Sequence, residues 1–321
     1  MCGIVGYVGN KPVVDILVDG LEQLEYRGYD SSGIAVMCED DIKVYKAVGK
    51  LKNLREELRG KETEFNSSAM GIGHIRWATH GAPTVLNAHP HTCNCGGLVL
   101  VHNGIIENYK ELKEELIKQG CVFKSETDTE VAAHLVARKY DECKDLTEAV
   151  RRASEEIEGA YALCVMHKNC KQKLVITKRN APLVVGVGIN EFYAASDVPA
   201  IIKHTNKAVY LNDNQIATLT PDKMEIIDIQ GNKVEPKAEI LPWEPVALSK
   251  MGYKHFMLKE IHEQPKALTD TMRPRLVRDA NGKAVDIHFE EMANPDMWRN
   301  ITRVVITACG TASYAGQVAK Y

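Results

Sequence analysis

Short apolar runs alternate with stripes of helical spacing along most of the chain. Ile4 to Val8 is apolar almost from the terminus and predicts a buried strand. Pro12, suited to a first helical turn, opens a helix with Val14, Leu17, Leu21 and Leu24 on one face. Ser32 to Met37 and Ile42 to Val48 predict strands, and Leu51 to Leu58 a short helix closed by Gly60. Met70 to Ala78, Leu98 to His102 and Tyr161 to His167 predict further strands. Between them, the helix predicted over 108–119 sets Tyr109, Leu112 and Leu116 on one face and stops at Gly120. A second helix, over 130–140, follows Thr127 and Glu130 in capping-box spacing. Leu174 to Ile176, Leu183 to Val187, Glu191 to Ala195, Ala208 to Leu211, Gln215 to Leu219 and Met224 to Asp228 form a later series of short strands. Two β-rich blocks thus bracket a helical middle, which argues for a layered α+β domain over a repeating βαβ array.

The pattern changes after residue 235, where Pro236, Pro242 and Pro245 punctuate a polar stretch. Tyr253 to Arg278 is charged and largely helical in pattern. Arg303 to Ala308 predicts an apolar strand running into Cys309-Gly310-Thr311-Ala312-Ser313, the form of strand, glycine turn and helix start. The expected division is one domain over 2–240, a linker over 241–300 and the truncated start of a second domain over 301–321. With 45% hydrophobic and 26% charged residues the composition is that of a soluble globular protein. No apolar run approaches the roughly 18 residues of a membrane span, and no basic stretch leads into an apolar core near the terminus. A cytoplasmic location is the expectation. A formal charge of -3 without a basic stripe leaves no footprint for nucleic acid. The nine cysteines, an odd number, point to reduced thiols and not to a disulfide framework.

Cys2 is placed differently from the others. Met1 precedes a small residue and is expected to be removed, which would put a free α-amine and a thiol on one residue. Their reference pKa values, about 7.7–8.0 and about 8.5, are matched closely enough for the amine to take the thiol's proton. The thiolate is the reactive form, and no histidine partner is needed. By position alone Cys2 is an incidental residue at a frayed start, but Gly3-Ile4-Val5-Gly6 allows the terminus to be buried. Other chemistry-bearing residues also have plain readings. Asn103-Gly104 after an apolar run is a hairpin-turn signal, and Asp128 before a helix is an N-cap. Arg76 could be an ordinary exposed arginine and Trp77 a core residue. His89-Pro90-His91-Thr92-Cys93-Asn94-Cys95 holds zinc-type donors, but without the C-x2-C spacing, and a loop leading into a strand is expected there.

Five segments change these readings together: Met1-Cys2-Gly3-Ile4-Val5-Gly6, Tyr26-Arg27-Gly28-Tyr29-Asp30-Ser31-Ser32-Gly33, the run from Gly73 to Gly81, His102-Asn103-Gly104, and Thr127-Asp128-Thr129-Glu130. In this order they resemble the class II glutamine amidotransferases, N-terminal-nucleophile hydrolases that release ammonia from glutamine. The resemblance implies a four-layer αββα sandwich in which two antiparallel sheets face each other and helices lie outside. It also implies a γ-glutamyl thioester on Cys2 and an oxyanion hole made by the Asn103 side-chain amide and the Gly104 N–H. Asp128 would bind the ammonium of L-glutamine and Arg76 its α-carboxylate. Trp77, Thr79 and His80 would lie on the loop that closes over the substrate, and Arg27 near the Cys2 backbone. No metal or organic cofactor is implied. Tyr29-Asp30-Ser31 has the form typical of the branch that makes glucosamine 6-phosphate. Gly310-Thr311-Ala312-Ser313 is similar to the opening of a sugar-phosphate isomerase domain, where Thr311 and Ser313 would help hold the phosphate of fructose 6-phosphate. Such a full-length protein would be a homodimer. The alternatives are another amidotransferase of the class, with a different acceptor domain, and a non-catalytic sensor of glutamine or sugar phosphate.

Overall fold

The computed structural model describes residues 2–39, 41–65, 67–78, 81–241, 253–272, 275–279, 283–287, 301–308 and 310–320. The chain divides into two units, Met1–Ser249 and Lys250–Tyr321. The first begins with β1 (Gly3–Val8), α1 (Val13–Gln23), β2 (Ser31–Cys38), β3 (Asp41–Val48), α2 (Leu51–Leu58), β4 (Met70–Arg76), β5 (His91–Thr92) and β6 (Leu98–Ile106). Three helices follow: α3 (Tyr109–Lys118), α4 (Asp128–Cys143) and α5 (Leu146–Glu156). The remainder is β7 (Gly159–His167), β8 (Leu174–Arg179), β9 (Val184–Val187), β10 (Phe192–Ala195), β11 (Lys207–Tyr210), β12 (Gln215–Leu219), β13 (Met224–Asp228), β14 (Lys233–Val234) and β15 (Glu239–Ile240).

These strands form an eight-stranded sheet in the order β15-β11-β9-β10-β1-β4-β2-β3 and a seven-stranded sheet in the order β14-β13-β12-β8-β7-β6-β5. Three apolar layers follow from the period-two alternation of the strands. Val5 and Tyr7 of β1 pack outward with Leu17, Leu21 and Leu54 of α1 and α2. Ile4 and Val8 pack inward with Ile72, Val99, Val101, Cys164 and Ile176, joining the two sheets. Leu98 and Leu100 of β6 pack on the far side with Val136 of α4 and Val150 of α5. The arrangement is helix, sheet, sheet, helix, as the resemblance implies.

The structure corrects several expectations. β6 does not turn at Asn103-Gly104 but continues, pairing Asn103 with Ala162 and Gly104 with Tyr161. Gly104 has a φ of 122°, and a Cβ there would lie 2.0 Å from the Ala160 carbonyl oxygen. The glycine serves close strand approach, not chain reversal. Helix α5 has no counterpart in the sequence reading; Asp145 caps it by accepting the Glu148 N–H at 3.0 Å. Cys93 and Cys95 form a disulfide, with Cα atoms 5.5 Å apart. This departs from the expectation of reduced thiols: the turn closed by Gly96 N–H to Cys93 O brings the two Cα atoms within bridging range. No helix among the described residues is long and apolar enough to cross a membrane.

The second unit contains α6 (Phe256–Met272), with Pro265 inside it, a short hairpin of β16 (Leu276–Arg278) and β17 (Ala284–Ile287), and α7 (Thr311–Ala319). The helical pattern of 253–278 is thus realised only to Met272. The strand expected over 303–308 does not form. Val304 and Val305 are 70% and 68% exposed, and a strand needs a neighbour to take up its backbone hydrogen bonds, which the described residues do not supply.

Candidate active site

The alternation that sorts the core also assembles the site. Cys2 precedes β1 in phase with the inward-facing Ile4 and Val8. On β4, His74 and Arg76 continue the inward phase of Met70 and Ile72, and on β6 Asn103 continues that of Val99 and Val101. At one end of the sandwich the space between the sheets is therefore lined by polar side chains.

Cys2 is half-buried there. Its Sγ lies 3.3 Å from the Trp77 N–H, which donates to it, and 3.4 Å from the Trp77 carbonyl oxygen. Burial pushes the thiol pKa up, against the opposing pull of the Trp77 N–H. The Cys2 carbonyl oxygen accepts from Arg27 Nε at 3.0 Å and from Asn103 Nδ2 at 3.3 Å. Arg27 is held in turn by Asp197 at 2.9 Å, which also accepts from Tyr26 Oη. The Arg27 guanidinium thus lies beside the Cys2 backbone. Gly28 packs against the Arg76–Trp77 peptide, where an added Cβ would meet backbone atoms at 2.8 Å. Asp30 holds the same segment through the Ala78 N–H.

Behind Asn103 stands a row of buried histidines. His74 Nε2 is 3.0 Å from both the His102 carbonyl oxygen and Asn103 Oδ1. A carbonyl can only accept, so Nε2 carries the hydrogen. Burial holds the His74 pKa down to about 3, so the ring is neutral. The ring stacks on His89 at a centroid distance of 4.0 Å. His89 Nδ1 accepts the His102 N–H at 3.4 Å, so its own hydrogen sits on Nε2, directed at Thr129 Oγ1 at 3.2 Å. The Thr129 hydroxyl then donates to His102 Nδ1 at 2.9 Å. Burial lowers the pKa of both His89 and His102.

Cys2, Arg76, Trp77, Gly104 and Asp128 line one pocket, with His89, His102, Thr127 and Thr129 completing its wall. Arg76 is buried, and its guanidinium donates to the carbonyls of Ala82 at 3.2 Å and Gly81 at 3.1 Å. Asp128 is not the N-cap of α4. Thr127 fills that place, accepting the Glu130 N–H, while Asp128 opens the helix and accepts the Ile106 N–H at 2.9 Å. Trp77 is 45% exposed and meets Tyr29 edge-to-face at 5.8 Å, which removes the core reading. Thr79 and His80 lie outside the described residues. In the second unit Ser313 lies in the first turn of α7, its N–H bonded to the Gly310 carbonyl at 3.1 Å; the Thr311 side chain lies outside the described residues. A larger groove of about 570 Å³, lined by Thr147, Lys173, Thr218 and Lys223, carries no nucleophilic cysteine or histidine.

The histidine wall and Asp30 were not singled out as site residues by the sequence reading. His74 and Asp30 fall inside quoted motifs, but the partners of His74 lie on β6 and that of Asp30 lies beyond the end of β4. Among the described residues no group of three or more His, Cys, Asp or Glu side chains is disposed to hold a metal.

The chain is similar over its whole length to the glutamine–fructose-6-phosphate aminotransferase (isomerizing) of Streptomyces coelicolor, at 47% identity and 51% of that protein's length. The protein of the same name from Aquifex aeolicus is likewise 47% identical, again over 51% of its length. The chain spans about half the length of the curated relatives it matches. Among solved structures, the glutamine phosphoribosylpyrophosphate amidotransferase of B. subtilis superposes with a TM-score of 0.62 at 24% identity, over 72% of this chain and 50% of that one, a likeness of fold. Residues 46–230, more than half of the chain, match the family model described as a glutamine amidotransferase domain. The chain belongs to the glutamine amidotransferase domain family.

Proposed function

We propose that this chain hydrolyses L-glutamine to glutamate and ammonia with Cys2 as nucleophile. In the longer protein, residues 2–240 form the glutaminase domain, 241–300 a linker and 301–321 the opening of a sugar-phosphate isomerase domain. There the ammonia converts fructose 6-phosphate to glucosamine 6-phosphate, in a cytoplasmic homodimer whose Thr311 and Ser313 help hold the sugar phosphate. The observation that carries the reading is the convergence on one pocket of Cys2 Sγ, Gly104, Arg76 and Asp128, with Asn103 bonded to the Cys2 carbonyl.

The chemistry follows from those groups. With Met1 gone, the Cys2 α-amine takes the thiol proton and the thiolate attacks the γ-carboxamide carbon. The negative charge that develops on the carboxamide oxygen is stabilised by the Asn103 Nδ2–H and the Gly104 N–H. Collapse passes the proton to the leaving nitrogen, releases ammonia and leaves a γ-glutamyl thioester. Water, losing its proton to the same amine, attacks the thioester and frees glutamate. Arg76 takes the α-carboxylate and Asp128 the ammonium, one charge each. Trp77, Thr79 and His80 contribute the covering loop.

The test combines N-terminal mass analysis with an electrophilic glutamine analogue. The expected result is a chain beginning at Cys2, one analogue per chain, and the adduct on Cys2 alone. Full turnover in a protein that retains Met1 would contradict the scheme, because an amide nitrogen is not a base. Ligand-induced stabilisation without glutamate release would instead mark a sensor.

A further inference from the structure

We propose that His74 is a positioning residue that fixes the Asn103 carboxamide with its N–H2 toward Cys2. The proposal rests on the reading of Cys2 and Asn103 given above and deepens it. An asparagine side chain presents an oxygen at one end and a donor at the other, and rotation by half a turn exchanges them. As an oxyanion donor Asn103 is useful in only one of those two states.

The backbone settles which state holds. His74 Nε2 lies 3.0 Å from the His102 carbonyl oxygen, an obligate acceptor, so a hydrogen sits on Nε2. The Asn103 atom 3.0 Å from the same nitrogen must then be its oxygen. Turning the carboxamide over would bring N–H2 against the His74 N–H and set Oδ1 against the Cys2 carbonyl oxygen, leaving the amide donor without an acceptor. With Oδ1 held by His74, Nδ2 faces the nucleophile, 3.3 Å from the Cys2 carbonyl oxygen. The orienting ring is itself fixed. It is fully buried on β4, stacks on His89, and its Nδ1 has no hydrogen-bond partner among the described residues. His74 does not line the pocket, so it acts through Asn103 and not on the substrate.

The test is a double-mutant cycle in protein beginning at Cys2. His74→Phe is expected to lower kcat about 10- to 100-fold, within the loss produced by deleting an oxyanion donor outright, with KM for glutamine within about twofold. His74→Gln keeps an N–H donor at that point and should retain kcat within about tenfold of the parent. In an Asn103→Ala background, His74→Phe should change kcat less than about twofold, because there is no carboxamide left to orient. An equal drop in both backgrounds, or a change in KM alone, overturns the proposal. Should His74→Phe fail to fold, His74→Gln decides: a stable variant as slow as Asn103→Ala overturns it. Unaltered kcat in Asn103→Ala would sink the oxyanion assignment and this proposal together. A slowed Asn103→Ala beside an unaffected His74→Phe sinks this proposal alone.

Discussion

The layer between the two sheets has two ends built on the same strands. At one end Ile72 of β4 and Val101 of β6 meet in an apolar contact layer; one alternation step further along each strand stand His74 and Asn103, joined by a hydrogen bond. All four side chains are buried. The first end is held by area removed from solvent, which tolerates small shifts of side-chain shape. The second is held by donors and acceptors that each need a partner at a set angle. Strand phase decides which layer a residue enters, and distance along the strand decides whether that layer packs or reacts.

Substitutions at the two ends should therefore fail differently. Cys2→Ala is expected to reduce glutamine hydrolysis by at least about 10³-fold with an unchanged melting temperature; measurable turnover would move the nucleophile elsewhere. Asn103→Ala should lower kcat by about 10²–10³-fold with little change in KM, the loss of one preorganised donor. At the apolar end the currency changes. Ile72→Ala should cost about 2–5 kcal/mol in denaturant unfolding while the surviving folded protein keeps its KM. Arg76→Ala should raise KM about 10- to 100-fold, the worth of a charged hydrogen-bond pair, with a smaller effect on kcat. A reversal of the Asn103 and Arg76 outcomes would exchange their roles.

The last test concerns acid. Burial holds the His74 pKa to about 3 and the His89, His91 and His102 pKa values below the ordinary 6.5. The unfolded chain protonates these rings near 6.5 and the folded one does not. Below that pH the unfolded state binds more protons, and stability falls as pH drops from about 6.5 toward 3. Each ring contributes at most about 1.4 kcal/mol per pH unit. Urea midpoints at pH 7.5 and 5.5 measure this; equal midpoints would mean that the wall is already charged in the fold.

The sequence was most legible where one residue type answers one local need. Strand and helix positions followed apolar period, and Leu51–Leu58 was met to the residue. Helix α5 escaped because its buried face is Leu146, Ala149, Val150 and Ala153, half of it alanine, set among five charged neighbours from Glu148 to Glu156. Asn103-Gly104 gave a turn signal because that dipeptide adopts positive φ readily. Whether the conformation reverses a chain or lets β6 approach β7 is set by Ala160, more than fifty positions away. The same holds for the site. Cys2 and Asn103 were visible in their motifs, whereas the duty of His74 depends on a carbonyl of another sheet. The 303–308 run carries strand composition without a strand, since pairing is a property of two segments.

One consequence follows from how Arg27 is mounted. It ends a single 3-10 turn after α1, its N–H tied to the Leu24 carbonyl at 2.8 Å, and Leu24 is fully buried beneath the outer helices. The nucleophile's backbone thus leans on the last residues of a docked helix. Warming that frays this joint would disarm the sulfur before the sheets let go, so turnover should fade at a lower temperature than circular dichroism, and return on cooling.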